Sequence, residues 1–296
     1  MEIRVLKYFL IIAAEENITR AAQILHVTQP TLSRQIADLE DELGVKLFIR
    51  GNHNTVLTEE GLIFKRRAQE IISLVDKTKK DFLSDESVLE GTISIGSGEY
   101  RSTKILTDCI AQFHKIHPLV RYEFYSGNTG NIKDYIERGL LDIGLMLEPA
   151  DNKKYEFITI PVKEQWGAFV QNDSPLANKE SISAEDLLGI PLISTTGENA
   201  KNNIRRWLGD YIEKIDVIAE GNLLYNQAIL AQSNLGATIG VKLDCSYNGL
   251  KFVPFNPPLE AKTVLVWKKD QVFSLTIKKF IEFTKKYISS ISNDKI

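Results

Sequence analysis

Apolar positions over the first third of the chain recur at three- and four-residue intervals, and after Leu89-Glu90-Gly91 they change to short apolar runs separated by helical stretches. The first pattern predicts helices, the second strands alternating with helices. A first helix is expected over about Val5–Glu15 and a second over Arg20–His26, with Thr19 as its N-cap and the small Ala21-Ala22 pair permitting close packing. Thr28 caps a third helix that tolerates Pro30 in its first turn. In that helix Leu32, Ile36, Leu39 and Leu43 follow a 4-3-4 spacing and form one apolar face against the two preceding helices.

The opposite face of the third helix is polar. At about 100° per residue Arg34 falls nearly opposite the apolar stripe, with Pro30 and Ser33 beside it and Gln29 at the helix start. Asp38 and Asp41 follow further along, so the N-terminal half alone can approach phosphates. This is how a recognition helix enters the major groove. Arg34 can pair bidentately with guanine and Gln29 with adenine, while Thr28 and Ser33 suit phosphate or less selective contacts. A merely solvated helix face is the alternative.

Thr58-Glu59-Glu60 reads as another helix start, a hydroxyl cap followed by acids at the positive end of the dipole. The helix is expected to continue to about Ser84. Phe64, Ala68, Ile71, Val75, Thr78 and Phe82 recur at 4-3-4-3-4, the period of a coiled-coil seam. Either the same helix of a second subunit or the chain's own C-terminal part would cover it. Lys65, Arg66 and Arg67 lie on other faces, as phosphate contacts or as a solvated basic surface.

Beyond Gly91, strands are expected at Thr92–Gly96, Val120–Tyr125 and Leu141–Met146 with helices between them, then at Trp166–Gln171, Leu192–Thr195, Asp216–Ala219, Ala237–Val241 and Thr263–Trp267. A loop "PFNPP" and a last helix over Phe273–Ile288 complete the pattern, which reads as parallel α/β. Ligands of such sheets bind beyond the carboxyl ends of strands, where helix N-termini expose N–H groups. Three strand ends carry hydroxyls or amides: Ser97 with Ser102 and Thr103, Gly127-Asn128-Thr129, and Ser194-Thr195-Thr196. Plain helix capping is the alternative role for each.

Composition narrows the classes. With 296 residues, 43% of them apolar, the chain can form two or three units without disulfides or metal. Net charge is −3, and residues 1–83 balance twelve basic against twelve acidic side chains, so any nucleic-acid binding must come from the placement of charge. Cys109 and Cys245 show no CxxC spacing and are expected to be reduced structural thiols. His114 and His117 lack an obvious third ligand, so no metal site is expected. The start lacks a signal-peptide n-region and the early apolar run Tyr8–Ala14 is too short to span a bilayer, so a cytoplasmic protein is expected. No GxSxG, GxGxxG, P-loop or HExxH motif occurs, so no catalytic residues and no cofactor are expected.

"AAQILHVTQPTLSRQIADLEDELGVKLFIR" and the following "VLTEEG", within residues 21–61, closely resemble the N-terminus of LysR-type transcriptional regulators, and the resemblance extends over essentially the whole chain. It implies an α/β protein with an N-terminal all-α winged helix-turn-helix (1–60), a linker dimerisation helix (61–89), and a two-lobed effector domain with the fold of periplasmic binding proteins. Lobe one would take 90–161 and 267–296, and lobe two 162–266. Gln29, Pro30, Ser33 and Arg34 would face the groove, with Arg20, Thr28, Thr31 and Arg50 as further DNA-binding candidates. Leu47-Phe48-Ile49-Arg50 would start the wing. His53 stands where the family usually has arginine, and a neutral imidazole cannot supply a constant positive charge there.

The resemblance further implies that Ser97, Gly98, Glu99, Tyr100, Ser102, Thr103, Asn128, Thr129, Ser194, Thr195 and Thr196 line an effector cleft favouring an anionic group. Glu99 and Glu198 would repel a pure anion, and if they enter the cleft they point to a ligand of both charges, which Tyr100 or Arg101 could contact. The implied partners are double-stranded DNA at an interrupted palindrome, a small-molecule co-inducer, a second copy in a homodimer or homotetramer, and RNA polymerase, with no membrane. A DNA-binding architectural protein without effector and an α/β enzyme with a helical appendage are the competing classes.

Overall fold

Residues 1–50, 55–83, 89–148 and 151–293 are described by a computed structural model. The chain divides into two units, Met1–Leu83 and Ser84–Ile296.

In the first unit, α1 (Ile3–Glu15), α2 (Ile18–Ile24) and α3 (Gln29–Leu43) are followed by strands β1 (Phe48–Arg50) and β2 (Thr55–Leu57) and the long α4 (Glu59–Leu83). The N-cap of α2 is Asn17, whose Oδ1 accepts the Arg20 N–H at 3.0 Å, and not Thr19. Asn is as good a cap as Thr, and with it two residues upstream Thr19 falls inside the first turn, so the helix begins and ends earlier than expected. Thr28 caps α3, accepting the Thr31 N–H at 3.4 Å, and Gly44, at φ 70°, ends it. Leu32, Ile36 and Leu39 are buried against α1 and α2, but Leu43, expected on the same face, is 38% exposed. It lies in the last turn, just before Gly44 redirects the chain.

Phe9 anchors this core, its ring 5.1 Å from Phe48 and 4.8 Å, edge-on, from Phe64. The β1–β2 pair is an antiparallel hairpin with Phe48 opposite Leu57. Gly61 lets α4 cross it: a Cβ there would lie 2.1 Å from the Leu47 carbonyl oxygen. Thr58 accepts the Gly61 N–H at 2.9 Å, the expected cap. Phe64, Ala68 and Ile71, the first positions of the expected coiled-coil seam, instead pack into the core of their own unit, and Ala68 is fully buried there. Periodicity identified the apolar face correctly, but α1 of the same chain covers it. Val75 is half-buried and Thr78 exposed. The prediction at His53 lies outside the described residues, as do the side chains of Arg50 and Phe82.

The second unit contains β3 (Gly91–Ser97), α5 (Thr103–Ile116), β4 (Val120–Ser126), α6 (Thr129–Glu137), β5 (Ile143–Leu147), β6 (Tyr155–Gln171), β7 (Leu192–Thr195), α7 (Glu198–Leu208), β8 (Val217–Gly221), α8 (Leu224–Gln232), β9 (Ala237–Val241), β10 (Leu250–Pro254), β11 (Glu260–Lys268) and α9 (Leu275–Asn293). Its strands follow the order β4-β3-β5-β11-β6-β9-β7-β8, with β10 on β6. β3, β4 and β5 are parallel, as are β7, β8 and β9. The all-parallel expectation fails at β6, β10 and β11, whose pairings are antiparallel. β6 runs along β11 at its start and joins β9 and β10 at its end, so two parallel half-sheets share one long strand.

Each half has its own core. Ile93, Ile95, Phe113 and Phe280 fill one; Trp166, Ile182, Leu192 and Ile239 fill the other. Strand ends therefore meet where β6 crosses between them.

Candidate functional site

The N-terminal half of α3 presents Gln29, Pro30, Thr31 and Arg34 to solvent, with Ser33 half-buried. The Thr28 and Thr31 hydroxyls lie 2.8 Å apart and bond to each other, so Thr28 is occupied in capping the helix. No ion pair engages Arg34 among the described residues. Arg20, by contrast, pairs through Nε with Glu15 Oε2 at 2.8 Å. Arg34 is thus the basic group of this face available for a base edge, at a helix end whose dipole favours phosphate.

Glu40, whose role no sequence motif marks, ties α3 to the wing. Its buried carboxylate accepts the Leu47 and Phe48 N–H groups through Oε1 at 2.8 and 3.2 Å, and Lys46 Nζ donates to Oε2 at 2.9 Å. Burial pushes this carboxyl's pKa up, but the hydrogen bonds and the charge of Lys46 together hold it below its ordinary value.

In the second unit a cavity of about 580 Å³, including its mouth, opens where the ends of the parallel strands converge. Of the expected cleft residues, Gly98, Glu99, Tyr100, Asn128, Thr129 and Thr195 line it. Gly98 has no Cβ because the Tyr100 ring lies over it; an added one would stand 2.3 Å from the ring. The Tyr100 hydroxyl shares hydrogen bonds with the Thr129 side chain and the Leu147 backbone, and burial above all pushes its pKa up to about 12, so it stays protonated.

Among the described residues, polar contacts bridge the half-sheets at this cavity and at the groove adjoining it. Glu99 Oε2 accepts the Leu224 N–H at the start of α8. Asn128, besides capping α6, donates from Nδ2 to Thr196 Oγ1 at 3.3 Å. Arg101 Nε donates to Asp244 Oδ1 at 2.8 Å.

The remaining candidates lie elsewhere. Ser102 is fully buried, its amide and that of Arg101 each donating at 3.0 Å to the equally buried carboxylate of Glu164. Glu164 thus occupies the start of α5, where a ligand anion was expected. Ser97 and Thr103 bond to each other at 3.3 Å and border an adjoining, more open groove, which shares Gly98, Glu99 and Tyr100 with the cavity and is also lined by Phe124 and Cys245. Ser194 is buried, its carbonyl accepting from Gln227 at 3.1 Å. Thr196 is exposed beside the cavity, and Glu198 is exposed without lining it. Trp166, Asn199, Leu224 and Gln227 do line it and were not foreseen; the only hint was that Asn199 and Leu224 follow strand ends by a few residues.

Among the described residues no group of three or more His, Cys, Asp or Glu could hold a metal, and no helix is long and apolar enough to cross a membrane. His117 packs on Phe113 and His114 on Tyr122.

The described pattern "Bacterial regulatory helix-turn-helix protein, lysR family" matches residues 3–62, and "LysR substrate binding domain" matches 86–289. The chain belongs to the LysR family of transcriptional regulators. It is 26% identical to the Hca operon transcriptional activator HcaR of Escherichia coli over 99% of this chain and 100% of that protein. It is 29% identical to a hydrogen peroxide-inducible genes activator of Pectobacterium carotovorum over 65% of this chain and 64% of that one. Among solved structures, full-length CbnR complexed with its target DNA matches with TM-score 0.72 and 17% identity, covering 97% of this chain and 100% of that one. Full-length BenM matches with TM-score 0.55 and 24% identity over 100% and 98%. As a LysR-family member the chain is a DNA-binding transcriptional regulator and not an enzyme, and its C-terminal unit is of the kind that typically binds small-molecule effectors.

Proposed function

We propose that this LysR-family regulator reads an interrupted palindrome as a dimer or dimer of dimers, through Arg34 and Gln29 of α3, and is gated by a small molecule bound in the cavity beside β6. Arg34 carries the DNA reading: it is an exposed guanidinium without an ion pair among the described residues, on the first half of a helix whose opposite face builds the core. Gln29, Pro30 and Ser33 flank it, and Thr28 positions the helix start.

A single winged helix covers too few base pairs for selectivity, so two copies are needed. With Phe64, Ala68 and Ile71 facing inward, the partner surface falls to Leu62, Ile63 and Leu74, which α4 leaves 59%, 60% and 37% exposed. Effector binding changes the Glu99–Leu224, Asn128–Thr196 and Arg101–Asp244 contacts between the half-sheets, and the oligomer converts that change into altered spacing of its winged helices.

Footprinting of the full-length protein on its selected sites tests this. The expected pattern is two protected half-sites about 34–36 Å apart or a multiple of it, altered by the effector. One isolated half-site, or a footprint unchanged at saturating effector, contradicts the proposal.

A further inference from the structure

The charge and hydrogen-bonding state of the cavity identify the chemistry of its ligand. Among the described residues, Glu99 is the one carboxylate in its lining, and no Lys, Arg or His stands there to offset it. A dianion would therefore enter against Glu99 with no cationic partner. Glu99 is also fixed in place, since its Oε2 accepts the Leu224 N–H.

Two other wall residues carry buried donors that meet no acceptor among the described residues: the indole Nε1 of Trp166, a residue 3% exposed, and Nδ2 of Asn199. Buried polar groups are nearly always hydrogen-bonded, so each exception calls for an acceptor. Asn199 sits in the first turn of α7, and Gly197, the N-cap of α7, offers no side chain to its first amides. The other helices starting at the cavity have theirs: Glu164 serves α5, Asn128 serves α6 and Glu99 serves α8. Trp166, Asn199 and the N-cap Gly197 of α7 all line one space, and donors of this kind suit a carboxylate.

We infer that the cavity binds a small zwitterion of the amino-acid type. Its carboxylate accepts from Trp166 Nε1, Asn199 Nδ2 and the first-turn amides of α7, and its ammonium group pairs with Glu99. This rests on the reading of the cavity as the effector site. The acid-binding end then lies on α7, and not at Ser102 and Thr103, because Glu164 already fills the start of α5.

The test is calorimetric titration of the full-length protein with the standard amino acids. Each binder is compared with its carboxamide, which lacks the carboxylate, and with its deaminated acid, which lacks the ammonium. The inference predicts a binder whose two analogues are each at least about 10-fold weaker. Asn199→Leu and Trp166→Phe should each weaken the amino acid about 10-fold while narrowing its advantage over the carboxamide. Glu99→Gln should abolish the advantage of the amino acid over the deaminated acid, a change of preference that a loss of fold cannot produce. No binding by any amino acid at about 10 mM, or binding with preferences unchanged in all three variants, overturns the zwitterion assignment alone. Gly98→Val, whose side chain collides with the Tyr100 ring in the cavity wall, separates the two failures: undiminished binding in that variant puts the ligand outside the cavity and overturns the effector-site reading as well.

Discussion

Replacing Glu40 with alanine should loosen the wing from the recognition helix. The side chain is 3% exposed, and its Oε1 is the acceptor for two backbone amides, Leu47 and Phe48. Stranding a buried donor costs about 1–3 kcal/mol, and the lost Lys46 contact adds little because that side chain is 68% exposed. The two amides together give a loss of ~3 kcal/mol. For a unit of this size that lowers the melting temperature by on the order of 10–20 °C. Glu40→Gln keeps a carbonyl acceptor and loses only the charge, so it should cost about 1 kcal/mol.

The pH dependence has a defined sign. The folded pKa of Glu40 is depressed, so its contribution is fully present above the unfolded carboxylate pKa, about 4.3, and disappears as the pH falls through the lower folded value. The stability gap between wild type and Glu40→Gln should therefore be open at neutral pH and close under acid. Thermal unfolding across pH, with hydrogen exchange at the Leu47 and Phe48 amides, measures both effects. An alanine variant with unchanged exchange at those amides, or a gap that widens on acidification, would refute the reasoning.

Other outcomes follow from exposure. Ile63→Ser with Leu62→Ser should shift full-length protein toward monomer in sedimentation, whereas Ala68→Ser should mainly lower stability, because Ala68 is buried within its own unit. Cys109 is 1% exposed, its Sγ lies 3.3 Å from Thr284 Oγ1, and burial pushes its pKa up to about 11. In the native protein at neutral pH an alkylating reagent should therefore modify exposed Cys245 and spare Cys109, and both should react in denaturant. Equal native rates would contradict the described burial.

The elements most legible in the sequence were those in which one local signal dominates. β7 and β9 are short apolar runs, and Thr28 with Pro30 fixes the start of α3. β6 was read only from Trp166 onward, since Pro161, Lys163 and Glu164 in its first part resemble a loop surface. β10 was hidden by the proline-rich stretch after it, although its own Pro254 sits at the strand end, opposite Gly167. In α4 the heptad pattern marked the apolar face but carried no information on whether α1 or a second subunit covers it. The site behaved alike: residues adjacent to strand ends, such as Gly98 and Thr129, could be anticipated. Trp166 reaches the cavity from β6, the strand the two half-sheets share, and a carboxylate such as Glu164 shows nothing in sequence of the amides that surround it.

The central claim is that α3 reads base sequence through Arg34, and selection of bound fragments from a genomic DNA pool at fixed salt, wild type beside Arg34→Ala, tests it most directly. A bidentate arginine–guanine contact discriminates by about 1–3 kcal/mol, so wild type should recover a two-fold symmetric motif whose guanine preference is lost in the variant. Recovery of the same motif at the same strength by both proteins, or of no motif by either, would contradict it.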